Sequence, residues 1–135
     1  MEMHKVGDYL TTKYVSFSRD MPVVEAARKL LKNELIGGPV IDENKKLIGW
    51  VSEQECLSVV TQLSYYADRV ATVDDVMQTE VITVSPEDSL LTVAEQMKQA
   101  KPKIYPVVDE NEKIVGVISR RMVLKVLCDF NFGKA

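Results

Sequence analysis

Pro39-Val40-Ile41-Asp42-Glu43-Asn44-Lys45-Lys46-Leu47-Ile48-Gly49-Trp50-Val51-Ser52 returns 67 residues later as Pro106-Val107-Val108-Asp109-Glu110-Asn111-Glu112-Lys113-Ile114-Val115-Gly116-Val117-Ile118-Ser119. The same offset carries residues 6–60 onto residues 73–127 without a gap. In each copy a short β-branched run behind proline reads as a strand covered on both faces. The polar Asp-Glu-Asn stretch then turns the chain into a second apolar run, which makes a hairpin. A repeat of this length is a supersecondary unit whose apolar face is too small to close alone, so two copies packing on each other should share a single core.

Upstream of the hairpin each copy starts with a short segment, Val6 to Leu10 and Val73 to Met77, and an alternating run, Tyr14 to Phe17 and Val81 to Val84, which reads as a first strand. Turn and cap chemistry follows in Ser18-Arg19-Asp20-Met21-Pro22 and Ser85-Pro86-Glu87-Asp88-Ser89. Helical spacing then places Val23, Ala26, Ala27, Leu30 and Leu31 on one buried face, and Leu90, Val93, Ala94 and Met97 on another. Downstream, Cys56, Val59, Val60 and Leu63 match Val123, Val126, Leu127 and Phe130 as a second helix. Each repeat is therefore strand, helix, strand, strand, helix, an α/β unit with a right-handed parallel crossover and a final antiparallel pair. The expected division is residues 1–67, the first repeat with its connector, and 68–135, the second.

The chain has 135 residues, 46% hydrophobic and 27% charged, enough for one good core. A net charge of -3 and a pI near 5.2 argue against a nucleic-acid surface, which needs clustered Lys and Arg. No apolar run approaches the roughly 20 residues of a membrane span, and Met1-Glu2-Met3-His4-Lys5 lacks a signal-peptide core, so the expectation is a cytoplasmic protein. Cys56 and Cys128 lie in apolar helical patterns without CxxC spacing and read as reduced core thiols. There is no Gly-x-x-x-x-Gly-Lys loop, no metal-ligand spacing and no nucleophile-base pair, so no enzyme is expected.

The Pro-Val-hydrophobic-Asp hairpin closed by Gly-x-x-Ser and a helix, repeated at one offset, resembles a tandem pair of CBS domains, the cystathionine-beta-synthase-type regulatory repeat known in pairs as the Bateman module. The resemblance covers nearly the whole chain. It implies two repeats packed with pseudo-twofold symmetry and two clefts that take adenosine-containing ligands such as AMP, ADP, ATP or S-adenosylmethionine. It also implies an Asp three residues after the Ser, where a carboxylate accepts from both ribose hydroxyls. Here Glu55 stands at that position in the first copy and Met122 in the second. By family geometry one cleft combines Ser52 and Glu55 with Ile82, Lys103 and Ile104, and is the preferred ribonucleotide site. The other combines Ser119 and Met122 with Thr11, Val15, Ile36 and Gly37. Lys103, with Arg120 and Arg121 at the start of the last helix, is the expected phosphate contact.

Each of these residues also has a plainer reading. Glu55 suits a solvated helix surface, Met122 a core filler, and Ser52 and Ser119 helix caps. Lys103, Arg120 and Arg121 suit ordinary exposed cations; Gly37 and Gly38 suit a turn, or close backbone approach to a ligand. Gly49 and Gly116 suit a kink or close packing within the hairpin, Trp50 partial burial, and Tyr105 the filling or capping of a cleft. Tyr65 and Tyr66 are expected to pack across the repeats or on a second chain. The functional expectation is a non-catalytic module that binds an adenosine-containing ligand, requires no cofactor, dimerises and signals to a separate protein. The alternative is a ligand-indifferent adapter for dimerisation or protein association.

Overall fold

In the computed structural model, which describes residues 4–63, 71–99 and 102–134, both hairpins form with the same register. Strand β1 (Gly37–Ile41) pairs antiparallel with β2 (Leu47–Ser52), Gly37 opposite Ser52 and Pro39 opposite Trp50. Strand β3 (Ile104–Val108) pairs likewise with β4 (Ile114–Ser119), Ile104 opposite Ser119 and Pro106 opposite Val117. The turns are organised by their aspartates. Asp42 Oδ1 accepts the amides of Asn44 (2.8 Å) and Lys46 (3.0 Å), and Asp109 Oδ1 those of Asn111 (2.8 Å) and Lys113 (3.0 Å).

Helix α1 (Val23–Lys32) precedes the first hairpin and α2 (Glu53–Leu63) follows it; α4 (Leu90–Met97) and α5 (Arg120–Phe132) flank the second, with a single turn α3 (Val73–Val76) between. The expected first strands shrink to one rung each: Phe17 bridges Val40 and Val84 bridges Val107, both parallel as expected. Proline sets this limit. The next rung of the ladder would need the amide of Pro39 to donate to Val15, or that of Pro106 to Ile82, and proline has no N–H.

The chain divides into two compact units, Tyr14–Val81 and the discontinuous pair Met1–Lys13 with Ile82–Ala135. The division in space is therefore not the division of the repeats in sequence. The segment that opens each repeat is built into the unit of the other. The amides of Val6 and Gly7 donate to Asp88 (3.0 Å) and Pro86 (2.8 Å), Leu90 donates to His4 (2.9 Å), and Thr11 pairs with Val117 in both directions (2.9 and 3.0 Å). Sixty-seven residues on, the amides of Val73 and Asp74 donate to Met21 and Arg19 (both 2.8 Å), Val23 donates to Ala71 (2.9 Å), and Gln78 pairs with Trp50 (2.9 Å each way). We call these segments, residues 4–11 and 71–78, straps.

The straps explain the two hairpin glycines. A side chain at Gly49 would meet Met77 Sδ at 2.7 Å and the Gln78 carbonyl at 2.9 Å. At Gly116 it would meet Leu10 Cδ1 at 2.6 Å and the Thr11 carbonyl at 2.9 Å. Glycine is needed because a strap lies against the strand, beside the register shift that each hairpin makes at this point.

Each unit has its own apolar cluster. Phe17, Val23, Ala26, Leu30, Val40, Val51 and Cys56 gather with strap residue Val73. Val84, Leu90, Val93, Met97, Tyr105, Val107, Ile118 and Val123 gather with strap residue Val6. Four expected core positions face solvent instead: Leu31 (74% exposed), Val60 (41%), Phe130 (51%) and Cys128. Cys128 lies five residues, about 140° around the helix, from the buried Val123. Tyr65 and Tyr66 lie outside the described residues.

Because Val6 and Val73 are wholly buried, truncating either to alanine removes two methyl groups from a closed core. Val6→Ala and Val73→Ala are each expected to lower unfolding free energy by about 2 kcal/mol in chemical denaturation; loose tails would show no change. Burial pushes the Cys56 thiol pKa up, so a thiol reagent should label one cysteine, Cys128, in the native protein and two after denaturation.

Candidate functional site

Both Gly-x-x-Ser segments deliver their serine to the start of a helix, and the two copies then use it differently. In the first, the amide and hydroxyl of Ser52 both donate to Glu55 Oε1 (2.8 and 2.9 Å). Glu55 thus reaches back over the first turn of α2 as the acidic half of a capping box. Its other oxygen, Oε2, accepts from Gln78 Nε2 on the strap at 3.3 Å. In the second copy Ser119 caps α5, its Oγ accepting the Met122 amide at 3.1 Å. Met122 packs half-buried against the apolar cluster of its unit.

The expected ligand residues divide between the units. Val15, Ile36, Gly37, Ser52 and Glu55 belong to Tyr14–Val81; Thr11, Ile82, Lys103, Ile104, Ser119, Arg120, Arg121 and Met122 belong to the other. Each expected set therefore draws on both. Within its own unit, Ser52 is tied to Glu55 and its α2 start is tied to Ile36, whose carbonyl accepts the Glu53 amide (2.8 Å). In the other unit the Lys103 carbonyl accepts the Arg120 amide (2.8 Å), and Thr11 is bridged to Val117, two residues before Ser119.

Lys103, Arg120 and Arg121 are exposed, and among the described residues none of them has a carboxylate within 4.0 Å. The first turn of α5 contains no acidic residue. The α2 start is the reverse, with Glu53 and Glu55 in its first turn.

The glycine pair Gly37-Gly38 has a steric cause within its own unit. A side chain at Gly37 would meet Trp50 Nε1 at 2.7 Å, and one at Gly38 would meet the Phe17 ring at 2.8 Å. At the matching positions of the second repeat the sizes are exchanged: Ile104 with Val117, and Tyr105 with Val84. Large and small residues trade places across each contact, and at Gly37 with Trp50 the exchange roughly conserves volume. Tyr105 is fully buried in its cluster and its hydroxyl has no partner among the described residues. Burial raises its pKa. It fills core space in its unit.

Sequence reasoning missed Gln78. Its link to Glu55 depends on how the strap docks, which no local pattern encodes. Open grooves of about 850 Å³ and 540 Å³ lie at the opposite, turn end of each hairpin, beside Ile41 to Glu43 and Val108 to Glu110. None of the expected ligand residues lines them.

This duplicated unit corresponds to a known family: the CBS domain matches residues 6–62 and again residues 73–129. The chain belongs to the CBS-domain family. CBS domains are regulatory, non-catalytic domains, and this chain carries a tandem pair of them. It is similar in structure to the CBS-pair protein CBSX2 from Arabidopsis thaliana (TM-score 0.83, 25% identity, 94% of this chain and 96% of that one). A structure of CBSX2 in complex with AMP is also similar (TM-score 0.82, 26% identity, 94% and 98%). In sequence the CBS pair is 24% identical over 122 residues to a homoserine O-acetyltransferase of Methanococcoides burtonii, covering 90% of this chain but only 24% of that protein. The chain thus spans about a quarter of that relative's length. Among the described residues no helix is long and apolar enough to cross a membrane, and no cluster of three or more His, Cys, Asp or Glu could hold a metal.

The size exchange between repeats has a direct test. Gly37→Ile alone should destabilise the CBS pair by about 1–3 kcal/mol through overpacking against Trp50. Adding Trp50→Val, which recreates the second repeat's Ile104 and Val117, should recover a large part of that loss in a double-mutant cycle followed by denaturant unfolding.

Proposed function

We propose that this CBS pair is a ligand-sensing regulatory module that binds an adenosine-containing ligand of the AMP, ADP, ATP or S-adenosylmethionine type and signals to a protein partner. The observation that carries this reading is the 26% identity, across 94% of the chain, to a CBS pair in complex with AMP. Residue by residue, Glu55 supplies a carboxylate for ribose hydroxyls where the family uses Asp, and Ser52 stands beside it. Ile82, Lys103 and Ile104 complete that site, with Lys103, Arg120 and Arg121 as the phosphate contacts. The absence, among the described residues, of a carboxylate near those three cations and of acid in the first turn of α5 favours an anionic ligand there. The second set, Ser119 and Met122 with Thr11, Val15, Ile36 and Gly37, is the weaker: Met122 offers a hydroxyl only a weak thioether acceptor in place of a carboxylate, and Trp50 lies against Gly37. The ligand is regulatory, and no cofactor is required. Signalling follows when ligand binds one arrangement of the module better than another.

A second reading is favoured by a separate observation. Val24, Leu31, Leu57 and Val60 on α1 and α2, and Leu91, Leu124 and Phe130 on α4 and α5, are exposed apolar residues. Such faces suit a homodimer or a protein partner, and Glu55 is already engaged by Ser52 and Gln78. On this reading the module is a ligand-indifferent adapter.

Calorimetry with AMP, ADP, ATP and S-adenosylmethionine separates the two. Saturable binding that Glu55→Ala weakens about tenfold or more, and that Lys103→Ala weakens for the phosphorylated ligands only, is the expected result. No response to any of them at millimolar concentration, with a dimer by light scattering that is unchanged by nucleotide, would establish the adapter.

A further inference from the structure

Glu55 differs from an idle surface carboxylate in that both its oxygens are occupied. Oε1 accepts two bonds from Ser52, the full complement of one carboxylate oxygen. Oε2 is the oxygen left to receive a ligand hydroxyl, and it is met by Gln78 Nε2 at 3.3 Å. The strap delivers this amide without cost to itself, since the Gln78 backbone is already paired in both directions with Trp50 at 2.9 Å.

The other repeat is a built-in control. Thr11 occupies the position of Gln78 and pairs with Val117 through the same two backbone bonds. Its side chain is shorter, its hydroxyl accepts the Lys13 amide at 3.0 Å, and position 122 carries no carboxylate. The side-chain link from strap to helix start thus exists in one unit only.

We propose that Gln78 is an internal competitor for the ligand-facing oxygen of Glu55 and so a determinant of how tightly the module holds its adenosine ligand. This rests on the reading of Glu55 as the ribose acceptor. A hydroxyl that docks on Oε2 displaces or shares the Gln78 amide, which is held by one long bond between exposed groups and yields readily. The strap stays in place, because Val73 is buried and its backbone bonds to Met21 and Ala71's bond to Val23 do not involve Glu55. Only the Gln78 side chain changes partner.

The test is AMP calorimetry on the full chain, comparing wild type, Gln78→Ala and Gln78→Thr, with side-chain amide NMR of Gln78. Gln78→Thr installs the residue of the other strap and guards against a folding defect. Both Gln78 variants should bind AMP roughly twofold to fivefold more tightly, the effect of removing one weak hydrogen bond from the free state. In wild type, AMP should shift the Gln78 side-chain amide resonances; in ligand-free protein, Glu55→Gln should shift them too. AMP binding by a Gln78 variant but not by wild type would also support competition. AMP binding of equal or lower affinity in the Gln78 variants overturns this proposal and leaves the adenosine reading intact. No AMP binding by wild type or either variant overturns both.

Discussion

The burial of one valine from each strap is the contact on which the rest of the molecule depends. Val6 and Val73 are wholly excluded from solvent, each in the apolar cluster of a unit whose hairpin comes from the other repeat. A two-stranded hairpin with two helices has an apolar face that its own chain leaves open. The strap closes it, and its backbone finds partners on the loop before the helix and on the outer hairpin strand. Both hairpin glycines answer to that contact, since a Cβ at either would strike strap atoms at under 3 Å. The helix start at Ser52, and with it Glu55, inherits its position from the strand the strap lies on.

The two repeats have diverged in ways that separate packing from chemistry. At Gly37 with Trp50 and Gly38 with Phe17, one copy places bulk where the other places little, and at the first of these the sum across the contact is roughly preserved. Such exchanges are what close-packed interiors permit. Glu55 and Met122 are a different kind of divergence. One carries a carboxylate bonded on both oxygens, and the other carries a thioether against the core. No volume argument connects them, which is why the functional asymmetry of the module is sought there.

Much of the fold could be read from residues alone. The hairpins follow from proline, β-branched runs and an Asp-led turn, and the helices from apolar spacing. The duplication pointed to a tandem CBS pair, which the family match bears out. The first strands were read too long, because the run of apolar residues said nothing of Pro39 and Pro106, whose missing amides stop the parallel ladder after one rung. Cys128, Leu31, Val60 and Phe130 were read as buried because they continue an apolar pattern past the width of the face that is covered.

Sequence by itself determined the local architecture, since periodicity, turn chemistry and a fixed offset act over a few residues and need no knowledge of distant partners. It also singled out positions 55 and 122 by the break in an otherwise faithful repeat. Only the tertiary structure decided which strap closes which hairpin, because the straps 4–11 and 71–78 carry similar residues and either could suit either site on local grounds. It decided that Gly37 makes room for Trp50, and that Glu55 is met by Gln78, 23 residues away in the chain. Those outcomes depend on contacts between segments far apart in sequence, where geometry rather than residue pattern selects the partner.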